Sequence, residues 1–223
     1  MGPVSVVTGG QYQYERDPEA ITAQSFAIIR AEADTSRFGE AAPVAERIAH
    51  AAGDVGVLGD VVVSGPLIAA TQRALAAGRP VIVDTEMTRY AISPRFVPAA
   101  QVHCHINDAA TPDEARAAGT TRSAIAIRRA AGDLDGAVVV IGNAPTALFE
   151  LLELIRRGAR PAAIYGFPVG FVGAAESKAA LAAMAPVPFA TVKGRRGGSA
   201  MAGAAVNAAA HAGIDAGPAL VGA

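Results

Sequence analysis

The sequence predicts an α/β domain, a mostly parallel sheet flanked by helices, and three observations predict it. First, an apolar strand pattern, a glycine-rich turn and a helical pattern follow one another three times in the second half of the chain. Strands that alternate with helices imply parallel neighbours joined by crossovers. Second, 223 residues suit one such domain and can bury a core without disulfides or a structural metal. Third, the composition is 52% hydrophobic, rich in alanine and free of Trp, which reads as helices packed closely on a sheet. The expected architecture is a Rossmann-like single domain over residues 1–223, with an ordered core at about 12–210 and a flexible tail at 211–223.

The elements follow in order. Asp17-Pro18 opens a helix to about Asp34, with Asp as N-cap and Pro in the first turn. Ile21, Ser25 and Ile28 share one face of it, so Ser25 is expected on or beside the inward stripe. A hydroxyl there meets a ligand or bonds back to its own helix, and spacing does not choose between the two. A second helix covers residues 43–52 and stops at Gly53. On it Glu46, Arg47 and His50 are spaced to line one face. Ser64-Gly65-Pro66 starts a third helix, to about Ala77, and residues 80–84 (PVIVD) form a buried strand followed by a loop. Residues 101–107 read as a strand on which His103 and His105 share a face. Two ligands make a poor metal site, so no metal is expected. Thr111-Pro112 opens a short helix, and GTTRS at 119–123 leads into another through Arg129. Residues 137–141, 161–166 and 187–192 are the strands of the threefold pattern, and helices at 147–157, through to about 184, and at 200–210 follow them.

In parallel sheets ligands lie at the carboxyl ends of the strands, where the three glycine-rich turns should gather. The stretch GFPVGFVGAAESK at 166–178 is the most glycine-rich strand-to-helix joint. Gly170 and Gly173 let a ligand approach the main chain, and the helix start offers N–H groups to an anion, although a plain βα loop explains the glycines equally well. No phosphate-loop lysine motif and no dinucleotide fingerprint are present, which weighs against a nucleotide. No nucleophile elbow appears, and Cys104 has no convincing surrounding pattern. Arg47, Arg122, Arg195 and Arg196 among small residues suit a bulky ligand with several carboxylates, although an exposed helix cation accounts for Arg122, and a solvated pair for Arg195 and Arg196, at least as well. His50 beside Arg47 suits proton donation to an anionic substrate, although a lone helical histidine is more often structural or solvated. A net charge of −1 gives no bias toward nucleic acid or an anionic membrane. The single cysteine fits a reducing cytosol, and no secretory signal or membrane span is read, so a cytoplasmic protein is expected.

Six blocks carry a resemblance. They are RDPEAITAQSFAIIRAEAD at 16–34, RIAHAAG at 47–53, TRSA at 121–124, VVVIGNAPTALFELLE at 138–153, PVGFVGAAESKAAL at 168–181 and GRRGGSAMAGAAVNA at 194–208. In this order they resemble the precorrin-8X methylmutase (precorrin isomerase) family of cobalamin biosynthesis. The resemblance implies an isomerase that moves a methyl group from C-11 to C-12 of a corrin precursor and gives hydrogenobyrinate. No redox cofactor is implied. It places the catalytic histidine on His50 and substrate contacts on Ser25 and Arg47. Arg122, Asn143, Gly170, Gly173, Arg195 and Arg196 lie in the matching blocks and are the further candidates for substrate binding. The expected partners are a carboxylated tetrapyrrole and a second copy of the chain in a homodimer. A cobalt-containing substrate and a non-catalytic corrinoid carrier are the alternatives. The chain departs from the pattern at Tyr90-Ala91, where family members often have a glycine, at His103 and His105, and after Asn207.

Overall fold

The structure, a computed structural model, describes residues 14–213. Nine α-helices and six strands lie within that range. In chain order they begin with α1 (Pro18–Glu32), α2 (Ala42–Ala52), β1 (Val61–Ser64), α3 (Leu67–Ala76), β2 (Val81–Val83), α4 (Glu86–Ala91), β3 (Val102–Cys104) and α5 (Thr111–Ala117). There follow α6 (Arg122–Arg129), β4 (Val138–Ile141), α7 (Pro145–Arg156), β5 (Ala163–Gly166), α8 (Ala174–Met184), β6 (Phe189–Val192) and α9 (Ser199–His211). The sheet order is β1-β6-β5-β4-β2-β3, parallel throughout except that β1 runs antiparallel to β6. The mostly parallel α/β sheet flanked by helices is therefore present as expected.

Strand residues alternate between two cores, as a period of two requires. Val81, Val83, Val138, Val140, Tyr165 and Val192 face α2, α3 and α9. Ile82, Val139, Ile141, Ile164 and Phe189 face α6, α7 and α8. Both faces are covered, which explains why β4 reads as an unbroken apolar run rather than an alternating one. Alanine does the close packing. Gly203 of α9 lies so near α4 that an added Cβ would stand 2.5 Å from the carbonyl oxygen of Ala91.

Helix ends follow their caps. The Asp17 carboxylate accepts from the Glu19 N–H at 3.0 Å, and the Thr121 hydroxyl accepts from the Ala124 N–H at 3.2 Å. Gly53 closes α2 in the left-handed conformation at φ 61°.

Five expectations need correction. Residues 61–64 form a strand that the sequence did not reveal, because three valines give too short a run to separate strand from helix by period. The segment after β2, expected as a loop, contains α4, capped by the Thr85 hydroxyl. Strand β3 stops at Cys104 rather than 107, because the chain turns where Thr111 Oγ1 donates to the His105 carbonyl at 2.8 Å. Helix α1 buries Ile29, whereas Ile21 is 43% exposed, so the inward stripe is shifted from the one predicted. At the other end His211, expected in the tail, is the last residue of α9 and its ring stacks on Phe96 at 4.7 Å. The remainder of the expected tail, 214–223, and residues 1–13 lie outside the described residues.

One carboxylate ties the parallel strands together. Asp84 follows β2 and is fully buried. Its Oδ1 accepts from the Gly142 N–H at 3.0 Å and from the Thr88 hydroxyl at 2.8 Å. Its Oδ2 accepts from the N–H groups of Asn143 and Ala144, both at 2.8 Å. The start of α7 is thereby capped from a neighbouring strand instead of by its own N-cap residue, Ala144. Gly142 is required by close approach here, since a Cβ would lie 2.4 Å from Thr88 Oγ1 and 2.8 Å from Ser199 Cα. Replacing Asp84 by Ala removes a charged acceptor and strands buried donors. Asp84→Ala is expected to destabilise the fold by about 3–5 kcal/mol. Urea unfolding followed by circular dichroism measures this, and a loss under about 1 kcal/mol would show that the staple does not hold the sheet.

Candidate active site

The three glycine-rich turns meet at the carboxyl edge. The Phe167 N–H donates to the Ile141 carbonyl at 2.7 Å, and the Val169 N–H to the Asn143 carbonyl at 3.3 Å. The Gly170 N–H donates to the Arg195 carbonyl at 3.2 Å, and the Gly198 N–H to the Phe167 carbonyl at 2.8 Å. Gly197 sits against the β5 turn, where a Cβ would come within 2.4 Å of the Phe167 oxygen. Beneath the turns, the buried Lys178 ammonium donates to the Arg196 carbonyl, and desolvation lowers its pKa to about 8. These turns form one connected wall.

Not every helix start in this wall is open to an anion. The N–H groups of Asn143 and Ala144 are already occupied by Asp84, which leaves the exposed Asn143 side chain as the group able to meet a ligand there. At α8 the situation differs, because Gly173 (φ 80°) precedes the helix without a side-chain cap. An added Cβ at Gly170 (φ 139°) would point into open space. Between these two glycines Phe171 and Val172 are 83% and 88% exposed.

The antiparallel strand β1 brings a second set of residues to the same edge. Its first residue pairs with Val192, and the Lys193 N–H donates to the Asp60 carbonyl at 2.9 Å. The 3₁₀ segment Val55–Asp60 and the end of α2 are thus carried next to the turn after β6. Val44, Ala45, Ile48 and Ala49 anchor α2 by their burial, and it packs chiefly on α9. Its exposed side presents His50 at the final turn.

His50 stacks on Phe26 of α1, with ring centroids 5.3 Å apart and planes inclined by 21°. It lines a cavity of about 600 Å³ together with Ser25, Ile28, Glu32, Asp54 and Val55. Ser25 and His50, expected to share a site, therefore do share a cavity. The Ser25 hydroxyl donates to the Ile21 carbonyl at 2.8 Å within its own helix. This leaves its oxygen lone pairs available to a donor.

Arg47 stands apart from this arrangement. Its guanidinium lies 4.5 Å from the Phe26 ring centroid, and it lines a different cavity of about 280 Å³ with Arg30, Glu46 and His211. Desolvation lowers its pKa from the usual arginine value. Glu46 does not share the exposed face with Arg47 and His50, contrary to the spacing argument. It is buried, receives Arg30 at 2.8–3.1 Å, and accepts from the Thr35 hydroxyl at 3.0 Å. Phe26, which the sequence did not single out, is the shared support of His50 and Arg47.

The remaining arginines divide by their partners. Arg122 is exposed at the start of α6, with one contact to the Asn107 side chain at 3.3 Å. Arg195 is exposed and lies 5.3 Å from the Phe171 ring centroid. Among the described residues neither they nor Arg47 has a carboxylate partner within ion-pair distance. Arg196 does, with Asp54 and Asp60 each at 2.6 Å. The two histidines near β3 go separate ways: His103 contacts the Ala100 carbonyl at 3.2 Å, and His105 contacts Asp108 at 2.9 Å. Among the described residues no cluster of three potential metal ligands occurs. Burial, with Glu86 and Asp84 nearby, pushes the Cys104 thiol up to about 12, which makes it a poor nucleophile at neutral pH.

Comparison with known proteins agrees over nearly the whole chain. The profile of the family described as "Precorrin-8X methylmutase" matches residues 20–212. A precorrin-8X methylmutase of a Sinorhizobium species is 51% identical over 208 residues, which cover 92% of this chain and 99% of that one. The precorrin-8X methylmutase of Pseudomonas aeruginosa is 51% identical over 88% of this chain and 97% of its own. A cobalt-precorrin-8 methylmutase of Priestia megaterium is 37% identical over 86% of each chain. Among solved structures, the precorrin-8x methyl mutase of Thermus thermophilus superimposes with a TM-score of 0.75 at 36% identity, covering 89% of this chain and 100% of that one. The chain belongs to the precorrin-8X methylmutase family.

Proposed function

We propose that this chain is a cytoplasmic isomerase that moves the C-11 methyl group of precorrin-8X to C-12, giving hydrogenobyrinate, with His50 as the proton donor. The observation that carries the reading is the placement of His50. It stands on an exposed helix end, backed by an aromatic ring, and opens into a cavity of about 600 Å³ shared with Ser25. From that position the imidazole can deliver a proton to a ring held in the cavity. The reaction is an isomerisation, so the proton given to the macrocycle is balanced by one that leaves it. No electron is exchanged, so the step needs no redox cofactor.

A macrocycle exceeds a single cavity, and its carboxylates must be met at several points. Of the four candidate arginines, Arg47, Arg122 and Arg195 have no carboxylate partner among the described residues, and each presents a planar fork suited to a carboxylate. The Asn143 amide and the open backbone at Gly170 and Gly173 complete the wall. The two relatives at 51% identity bear the metal-free name, and the one at 37% bears the cobalt name. That difference supports the metal-free substrate for this chain.

A homodimer is part of the proposal. Met87 and Tyr90 on α4, and Phe171 and Val172 after β5, are 71–88% exposed, and such apolar side chains favour a protein or ligand contact over water. No helix among the described residues is long and apolar enough to cross a membrane.

Adding precorrin-8X to the purified protein and following the visible spectrum should show conversion to hydrogenobyrinate. Binding without a spectral change of that kind would instead identify a carrier. His50→Ala is expected to lower turnover by roughly 100-fold or more while product affinity stays near the native value. Native turnover in this variant would remove the acid role. Arg47→Ala should weaken product binding by about tenfold with a smaller effect on turnover, as titration calorimetry would report. Equal affinity would take Arg47 out of the site. Sedimentation equilibrium should give twice the chain mass, and a monomer at micromolar concentration would refute the dimer.

A further inference from the structure

We propose that Arg196 is a positioning residue, which fixes the His50 end of α2 to the sheet through Asp54 and does not bind a substrate carboxylate. The inference rests on the proposed role of His50. Arg196 offers one guanidinium nitrogen to Asp54 at 2.6 Å and another to Asp60 at 2.6 Å. These two carboxylates flank the 3₁₀ segment Val55–Asp60 and belong to its two ends. The cation therefore clasps the whole connection between α2 and β1.

The base of the clasp is rigid. The Arg196 carbonyl receives the buried Lys178 ammonium, the Gly198 N–H is bonded to the Phe167 carbonyl at 2.8 Å, and Gly197 is in close contact with that same carbonyl. The far end is the site itself. Asp54 lines the His50 cavity and follows Gly53, which terminates α2 three residues after His50. The Asp54 carboxylate has a second duty, because its Oδ1 accepts from the Gly56 N–H at 2.7 Å. Displacement of Asp54 therefore moves the helix end and the cavity floor together.

Charge points the same way. With Asp54 and Asp60 both bound, Arg196 has its positive charge compensated and its donors engaged. An unpaired Asp54 facing the cavity would repel a ligand rich in carboxylates, and Arg196 offsets that charge. All three side chains are 43–50% exposed, so the pairs contribute little to global stability and their value lies in geometry.

Asp54→Asn is the discriminating variant, since its amide oxygen keeps the Gly56 contact while the ion pair to Arg196 is lost. Positioning predicts a fall in kcat of roughly 10- to 100-fold with product affinity within about threefold of native. Arg196→Met should show a similar fall in kcat, and the double variant should be no worse than the poorer single one. If Arg196 instead bound substrate, Asp54→Asn would free the cation and leave affinity equal or tighter with kcat unchanged, and that result overturns the proposal. Amide hydrogen exchange without substrate supplies an independent reading: exchange over residues 53–60 should accelerate at least tenfold in either variant, and unchanged exchange overturns the clasp. If the native protein fails to convert precorrin-8X, the functional reading falls, and the exchange result alone then decides the clasp.

Discussion

The structure depends on a single buried carboxylate more than on any other polar group. Asp84 leaves the end of β2 and takes up three backbone N–H groups at the start of α7, together with the hydroxyl of Thr88. Thr88 in turn meets Ser199 at 2.9 Å, at the start of α9. Three strand-to-helix turns are thereby tied at one point on the carboxyl edge. Glycine at 142 is the only residue small enough for that convergence. Such a satisfied network costs little once built, and it prescribes how the turns sit relative to each other.

The turns so fixed form a wall on which less regular parts can be hung. The antiparallel strand β1 reverses the direction of one edge, so that the chain before it, rather than after it, approaches the wall. This reversal brings the end of α2 to the carboxyl edge. Had β1 run parallel, His50 and Asp54 would have been carried toward the opposite end of the sheet. Side chains on a helix end, held against a rigid wall, are more precisely placed than side chains on a free loop.

Electrostatics divides the arginines into two kinds. Arg30, Arg128 and Arg196 are joined to carboxylates and serve the architecture. Arg47, Arg122 and Arg195 lack such partners among the described residues, and two of them rest on aromatic rings. Stacking orients a guanidinium without neutralising it. A cation held in this way remains available to an anionic ligand.

Much was legible in the sequence. The threefold pattern of apolar run, glycine turn and helix gave away the class of sheet, and the caps at Asp17 and Gly53 marked their helix ends. The residue blocks pointed to the family and named Ser25 and His50 among the candidate site residues. The tertiary structure decided what depends on distant partners. Three valines at 61–63 became a strand only because β6 lies beside them. Glu46 turned inward to Arg30, although its spacing suited His50 equally. Asp84 claimed the N–H groups at the start of α7, and Arg196 found Asp54 and Asp60, 142 and 136 residues away in the chain. Periodicity and capping are properties of neighbouring residues and can be read locally. The choice of partner for a charge or an edge is made only when the chain has folded.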